Sequence, residues 1–389
     1  MDLPGLSEGE AVLLREMRRR LAAEIAAAGG ALPFDRYMET ALYAPGLGYY
    51  MNQRSKLGEA GDFVTAPEVS ALFGRCVARQ VSECLHKLGG GDVLEVGAGS
   101  GRLAADLLLE LEARGVLPGR YCILELSPSL KQAQRETLQA AAPHLLDRVH
   151  WLGGMPLKRF SGVLIGNELL DAMPVHRFRR RAGAWQELAV SGDETALHDA
   201  WGPVRSPGLA RVLDALWQGE DEAPDGYSSE VNMRLAPWLR AVAAGMTRGY
   251  LLLIDYGYTR REYYHPERRQ GTLLCHFRHR AYADPYRLPG LQDMTANVDF
   301  TALAQAAVDA GFALAGYTTQ AHFLIDSGLD ELLHDADPDD VKEHLQRMQG
   351  VKKLTLPSEM GERFKVMALA READPVLSGF RSRDLRDRL

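Results

Sequence analysis

Cysteine is scarce in this sequence. Its four copies, Cys76, Cys84, Cys122 and Cys275, never fall at the C-x-x-C spacing of a zinc or redox site. That speaks against a metal or disulfide framework and for a set of reduced thiols. Long apolar runs are missing too. The most apolar stretches, such as Leu251-Leu252-Leu253-Ile254, fall far short of the about 20 residues that cross a bilayer. The N-terminus begins with Asp2 and mixes Glu and Arg through its first long segment, so it lacks the uncharged core of a secretory signal. A cytoplasmic protein is the expectation. Surplus positive charge is also absent: 45 Lys and Arg stand against 52 Asp and Glu, a formal net charge of −7. A general nucleic-acid binder needs basic surface to neutralise phosphates, so that class is disfavoured. A basic substrate, such as an arginine- or lysine-bearing protein segment, suits the balance without being required by it.

What is present is an ordinary globular composition, 46% hydrophobic and 25% charged over 389 residues, enough for one large or two ordinary domains. Ser7 and Glu10 have capping-box spacing, Val12, Leu13, Met17, Leu21 and Ile25 recur at helical intervals, and Gly29-Gly30 supplies a stop; residues 8 to 28 read as an amphipathic helix. Pro33 to Gly61 is rich in Tyr, Gly and Pro and reads as ordered loops and short helices. Thr65 and Glu68, with Pro67 between, look like a second capped start, for a helix running to about Leu88.

From Asp92 onward short apolar runs alternate with helical segments. Strands are expected at 93–96, 121–124, 149–151, 162–165 and 250–254, with late ones at 312–314 and 364–369. This alternation implies βαβ units and a doubly wound, mostly parallel sheet of the α/β class. Three stretches exceed a minimal sheet: about 175–240, which is hairpin-like with a helix; 257–298, rich in Arg, Tyr, His and Pro; and 323–350, helical and acidic. The expected organisation is an N-terminal helical, ligand-covering segment over 1–88, a core over 89–372 carrying these insertions as a lid or smaller lobe, and a charged tail over 373–389, solvated after Phe380.

Gly97, Gly99 and Gly101 follow the first strand in Glu95-Val96-Gly97-Ala98-Gly99-Ser100-Gly101. Glycines at a strand-to-helix turn let a ligand approach the backbone and the helix N-terminal N–H groups. The dinucleotide fingerprint needs its third glycine one place later, where Arg102 stands. That departure favours S-adenosylmethionine, which has no pyrophosphate to seat. Glu95 at the strand end suits a ligand with a free ammonium group. Glu125, directly after the second strand, is placed to accept both ribose hydroxyls. A tight strand-helix junction without a ligand is the plain alternative, and NAD is the rival cofactor.

Longer motifs then narrow the family. Residues 43–50 (Tyr43-Ala44-Pro45-Gly46-Leu47-Gly48-Tyr49-Tyr50), 61–68 (Gly61-Asp62-Phe63-Val64-Thr65-Ala66-Pro67-Glu68), 167–175 (Asn167-Glu168-Leu169-Leu170-Asp171-Ala172-Met173-Pro174-Val175), 293–300 and 360–366 occur in that order. Together they resemble the MidA-like methyltransferases, a family that includes the mitochondrial methyltransferase assisting assembly of respiratory complex I. The resemblance spans about Phe34 to Ala370. It implies a class I methyltransferase fold with insertions. It also implies arginine ω-N-methylation of a protein, with symmetric dimethylation in the mitochondrial member. It suggests that the loop holding Asp62 and Thr65 folds over the cofactor.

Glu168 and Asp171 follow the fourth strand, on the edge where ligands sit in such folds, and a spacing of three puts both on one side of a helical turn. Carboxylates that clamp a guanidinium orient one nitrogen and localise charge on the others, so this pair is the candidate acceptor clamp; helix-start carboxylates are the plain alternative. Glu230, before an expected helix, either caps it through a neighbouring serine or reaches the substrate pocket. Asp255 either bonds a neighbouring backbone N–H or lines the substrate site. Cys275, His276, His279 and His265 fit no standard zinc pattern, and a solvated lid is the better reading. The cofactor set is therefore Asp62, Thr65, Glu95, Gly97, Gly99, Gly101, Glu125 and Asn167, the catalytic set Glu168, Asp171 and Glu230, and no metal is expected. The expected partner is a protein bearing an arginine, without nucleic acid or membrane, and with room for a homodimer. A small-molecule methyltransferase, an oxidoreductase on a similar fold and a cofactor-binding assembly factor without turnover are the alternatives.

Overall fold

The computed structural model of the chain describes residues 4–54, 65–155, 159–217, 223–334 and 341–389. It divides into two compact units interleaved along the sequence, one of 64–170, 236–259 and 298–389, the other of 1–63, 171–235 and 260–297.

In the first unit, numbering elements in chain order, α1 is Ala66–Val69, α2 Ala71–Leu88, β1 Asp92–Val96, α3 Arg102–Ala113, β2 Tyr121–Leu124, α4 Pro128–Ala141, β3 Val149–Leu152, β4 Phe160–Asn167, β5 Met246–Tyr258, β6 Ala313–Thr319 and β7 Phe364–Arg371. The strands form one sheet in the order β6-β7-β5-β4-β1-β2-β3, with the short strand Val298–Asp299 added beside the end of β5. β1 to β5 run parallel, and β7 alone is antiparallel to its neighbours β5 and β6. Tyr250, Leu251, Leu252, Leu253 and Ile254 are all buried, as expected of a parallel strand covered on both faces. Leu72, Phe73, Cys76, Val77, Val81, Cys84 and Leu85 recur at helical spacing and seat α2 in the same core as α3 and the strands.

The second unit holds helices Glu8–Ala27 and Phe34–Tyr43. Its five-stranded sheet is formed by Leu32–Pro33, His176–Arg181, Ala184–Gly192, Leu197–Pro203 and Ser228–Val231. A three-stranded sheet is centred on Leu274–Phe277. Of the stripe expected for the first helix, Met17, Leu21 and Ile25 are buried, Leu13 is half-buried and Val12 is exposed; its capping box of Ser7 and Glu10 is formed.

Several expectations need correction. The helix from Thr65 to Leu88 is two helices, broken at Ser70, whose extended backbone (φ −163°, ψ 138°) frees its Oγ to accept the Leu72 N–H and start α2. Thr65 makes no side-chain cap. Residues 64–88 belong to the sheet-bearing unit rather than to the N-terminal segment, because α2 fills its core. The insertion at 323–350 belongs there too, with Phe323, Leu324, Leu329 and Leu332 in that core. After Phe380 the charged tail is mostly exposed, apart from the buried Leu385; ahead of it Leu377 and Phe380 are buried, and the Phe380 ring takes the space a Cβ on Gly316 would fill. The Arg/His/Tyr-rich insertion carries its own buried side chains, Cys275, Phe277, Leu291 and Met294, so it is more than a solvated lid.

Candidate functional site

The glycine turn leads from the end of β1 into α3. Gly97 donates its N–H to the Leu124 carbonyl at 3.0 Å, tying the turn to the tip of β2. Gly97, Gly99 and Gly101 have φ of +72°, +54° and +84°, the left-handed region that other residues enter at a cost. The glycines at 97 and 101 differ in what surrounds them. A Cβ on Gly101 would lie 2.9 Å from Gln134 Cα, whereas one on Gly97 would meet only Leu169 Cδ1, at 3.8 Å. Gly101 is thus a packing glycine, and Gly97 faces open space. Ser100 donates its hydroxyl to Glu68, which holds the turn to α1; this is what Glu68 does in place of completing a capping box. Arg102 lies along its own helix with Nε 3.1 Å from Asp106 Oδ2 and does not fill the turn.

Glu95 is buried, and its carboxylate accepts the Tyr121 hydroxyl at 2.7 Å. Burial pushes its pKa from 4.5 up to about 7, the Tyr121 bond opposing and the Glu125 charge adding to the rise. Between those values the unfolded chain has released a proton that the folded chain keeps, so stability falls as pH rises through this window and levels off above about 7. Glu95→Gln, which keeps an acceptor for Tyr121, should therefore raise stability above pH 7 by up to about 3 kcal/mol and change little below pH 4.5. Thermal denaturation of both proteins across pH 4 to 8 checks this; a constant difference over that range would refute it.

Glu125 sits at the tip of β2. Its Oε1 accepts the Ser127 N–H at 2.8 Å and its Oε2 the Gln134 amide at 3.0 Å; burial raises its pKa against both bonds. Gln134 is a junction that the sequence reading missed. Its Nε2 also donates to the Gly99 carbonyl at 3.1 Å, and its Oε1 accepts the Trp151 indole N–H at 3.0 Å. One amide thus fixes the glycine turn, the Glu125 carboxylate and the indole of Trp151 on β3. Its signal was a glutamine four residues before Leu138 on the buried side of α4. Beside Glu125, Leu126 is exposed.

At the tip of β4, Asn167 Nδ2 reaches Glu168 Oε1 at 3.5 Å, and the buried Asn167 Oδ1 has no hydrogen-bond partner among the described residues. Glu168 has φ +49°, a left-handed conformation rarely tolerated by a glutamate. Its N–H donates to the Ile254 carbonyl at 2.8 Å. Residues 168–173 form bends and turns, not a helix, so the helical argument for placing Glu168 and Asp171 on one side fails. The two fall in different compact units. Asp171 is buried, and its carbonyl accepts the Ala296 N–H at 3.0 Å.

Glu230 lies on strand Ser228–Val231, ahead of the helix Leu235–Gly245, and stands opposite Arg177 in register. It is fully buried, with Arg177 Nε at 3.5 Å from Oε1 and the Thr272 N–H at 2.8 Å from Oε2. Burial raises its pKa, and Arg177 counters this. These contacts give Glu230 a structural role in its own unit. Asp62 lies outside the described residues, and Thr65 is half-buried at the start of α1.

Within the sheet-bearing unit, open space over Gly97, an exposed apolar Leu126, a carboxylate at Glu125 and an unsatisfied acceptor at Asn167 lie at the C-terminal ends of neighbouring parallel strands. That set fits a nucleoside that also carries a donor-rich cationic group.

Comparison with known proteins bears on this reading. A family model described as "Putative S-adenosyl-L-methionine-dependent methyltransferase" matches residues 76–318. The chain is 29% identical to the protein arginine methyltransferase NDUFAF7, mitochondrial, of Danio rerio, over 92% of this chain and 88% of that one. It is 30% identical to the NDUFAF7 homolog of Drosophila melanogaster, over 93% of this chain and 85% of that one. Among solved structures, it matches a superfamily member from Burkholderia thailandensis bound to S-adenosyl-homocysteine at 44% identity, with a TM-score of 0.94 and complete coverage of both chains.

Proposed function

Because the chain belongs to the family of S-adenosyl-L-methionine-dependent methyltransferases, we propose that its methyl acceptor is an arginine ω-nitrogen of a protein. The enzyme class and cofactor are those of the family; the acceptor is our reading, supported by the relatives named protein arginine methyltransferases. The observation that carries it is a carboxylate, Glu168, at the tip of β4 on a backbone held at φ +49°, next to the Asn167 that faces the cofactor. A carboxylate there suits a group that only donates.

When bound, the cofactor supplies an electrophilic methyl group on a positively charged sulfur. The chain's own residues have the remaining tasks. Gly97 would bring bare backbone against the ligand while Gly101 packs the turn on α4, and Glu125 would take the ribose hydroxyls on the lone pairs that Ser127 and Gln134 leave open. Leu126 offers an apolar face to the purine, and Asn167 Oδ1 accepts a bond from the ligand's ammonium. Glu168 binds the acceptor guanidinium. That group is protonated at neutral pH and a poor nucleophile, so orienting one nitrogen toward the methyl carbon matters more than general-base strength. The carboxylate also holds positive charge on the nitrogens that do not react. Asp171 and Glu230 have no part in this scheme. Symmetric dimethylation of a complex I-type subunit, in the cytoplasm, is its most specific form; four buried free thiols are in keeping with a reducing compartment.

Gln134→Leu should weaken S-adenosyl-homocysteine binding by about 10- to 100-fold in calorimetric titration. It takes the Gln134 bond from Glu125 Oε2 and from the Trp151 N–H, at about 1–3 kcal/mol. Unchanged affinity would remove Gln134 from the cofactor scheme. The acceptor is tested by incubating the purified chain with methyl-labelled S-adenosylmethionine and lysate from its own cells. Mass spectrometry should find the label on arginine ω-nitrogens. Label confined to small molecules or to another residue type would overturn the reading.

A further inference from the structure

The left-handed turn at Glu168 needs a restraint, because a glutamate released from it would relax to an ordinary conformation. The restraint begins where the β4–β5 ladder ends, at the pair Asn167 and Ile254. Glu168 adds one more ladder bond, donating its N–H to the Ile254 carbonyl at 2.8 Å. The next backbone donor, Leu170 N–H, finds a side chain instead: Asp255 Oδ2, at 2.9 Å. The other oxygen, Oδ1, accepts the Tyr256 N–H at 2.9 Å, which fixes the carboxylate against its own strand. Asp255 therefore takes the place of the following ladder carbonyl and turns the chain back across residues 168–170.

Packing supports the same turn from below. A Cβ on Gly166 would lie 2.9 Å from Leu169 Cδ2 and 3.2 Å from Leu253 Cδ2, so the absence of one lets Leu169 seat there. The other methyl of Leu169 lies 3.8 Å from where a Gly97 Cβ would be. The turn is held by a carboxylate on one strand and a side chain wedged between two glycines.

We propose that Asp255 is a positioning residue for methyl transfer: it holds Glu168 in the left-handed conformation that presents its carboxylate to the acceptor. Asp255 is itself only 1% exposed, so it acts through Glu168 and not on the substrate. This rests on the reading of Glu168 as the acceptor clamp.

The test is a double-mutant cycle on the full chain, with turnover of a methylated acceptor, S-adenosyl-homocysteine affinity and amide hydrogen exchange as readouts. D255N should slow turnover about 30-fold, leave cofactor affinity within about threefold, and speed exchange of the Glu168 and Leu170 amides while the strand amides of β4 and β5 stay protected. Combined with E168Q it should be no slower than E168Q alone, because both changes remove one function. Multiplied losses in the double variant, or unchanged exchange at 168–170 in D255N, would overturn the proposal. If E168Q alone keeps full turnover, the acceptor reading of Glu168 fails, and the exchange data still decide whether Asp255 holds the turn. Should D255N not fold, G166A disturbs the same turn by displacing Leu169, and it must show the same split between turnover and affinity.

Discussion

Gly97→Ala is expected to reduce S-adenosyl-homocysteine affinity by about 100-fold or more while the chain stays folded. Gly101→Ala should damage folding and binding together. Both positions have left-handed φ, +72° and +84°, so each alanine carries a backbone cost of about 1–2 kcal/mol. Beyond that they separate. The Gly97 methyl meets only Leu169, at ordinary contact distance, and so occupies space that the folded chain leaves for a ligand. The Gly101 methyl runs into the backbone of α4, 2.9 Å from Gln134 Cα and 3.2 Å from its carbonyl oxygen, where no side-chain rotation relieves it. Displacing Gln134 would also loosen Glu125, the Gly99 carbonyl and Trp151. The total loss for Gly101→Ala should reach about 3 kcal/mol or more. Thermal denaturation and calorimetric titration of both variants separate the two roles. Wild-type affinity in Gly97→Ala would show that the space over this glycine is not where the cofactor lies.

The features legible in the sequence were those with a short-range cause. The strands of the parallel sheet announced themselves as apolar runs, and the turn at Gly97, Gly99 and Gly101 by composition alone. The place of Glu125 directly after β2 was likewise a matter of counting. What escaped depends on tertiary contacts. Gln134 matters only once α4 docks beside the glycine turn, and no local pattern distinguishes it from a surface glutamine except its place on the buried stripe with Leu138. The left-handed φ of Glu168 was invisible because glutamate carries no preference for that region, whereas glycine or asparagine would have flagged it. Spacing misled for the same pair: three residues from Glu168 to Asp171 suggest one helical face only if a helix is present, and Asp255 bends the chain instead. The burial of Phe380 went unread because one aromatic among charges looks solvated, until Gly316 is seen to leave room for its ring.

Glu168→Gln should lower turnover by about 100-fold or more and leave cofactor affinity within about threefold. The side chains are nearly the same shape, so the turn at 168–170 and its bonds to Ile254 and Asp255 survive. What goes is the charge, and with it the orientation it imposes on the guanidinium. Mutations that remove a single aimed electrostatic contact from a water-poor site cost about 100- to 1,000-fold in rate. A rise in acceptor KM at constant kcat would mean that Glu168 binds the ground state and transition state alike; a fall in kcat assigns it to the transition state. A companion variant tests the strain itself. Glu168→Gly adopts φ +49° without penalty, so it should be more stable than the wild type by about 1 kcal/mol even though it cannot turn over. A chain that gains stability by losing activity at one position is holding that position in a costly shape for function. If the glycine variant is instead less stable, the conformation is not strained and the carboxylate contributes to the fold. If Glu168→Gln loses the cofactor rather than turnover, the carboxylate belongs to the methyl donor's site and the guanidinium must be held by other groups.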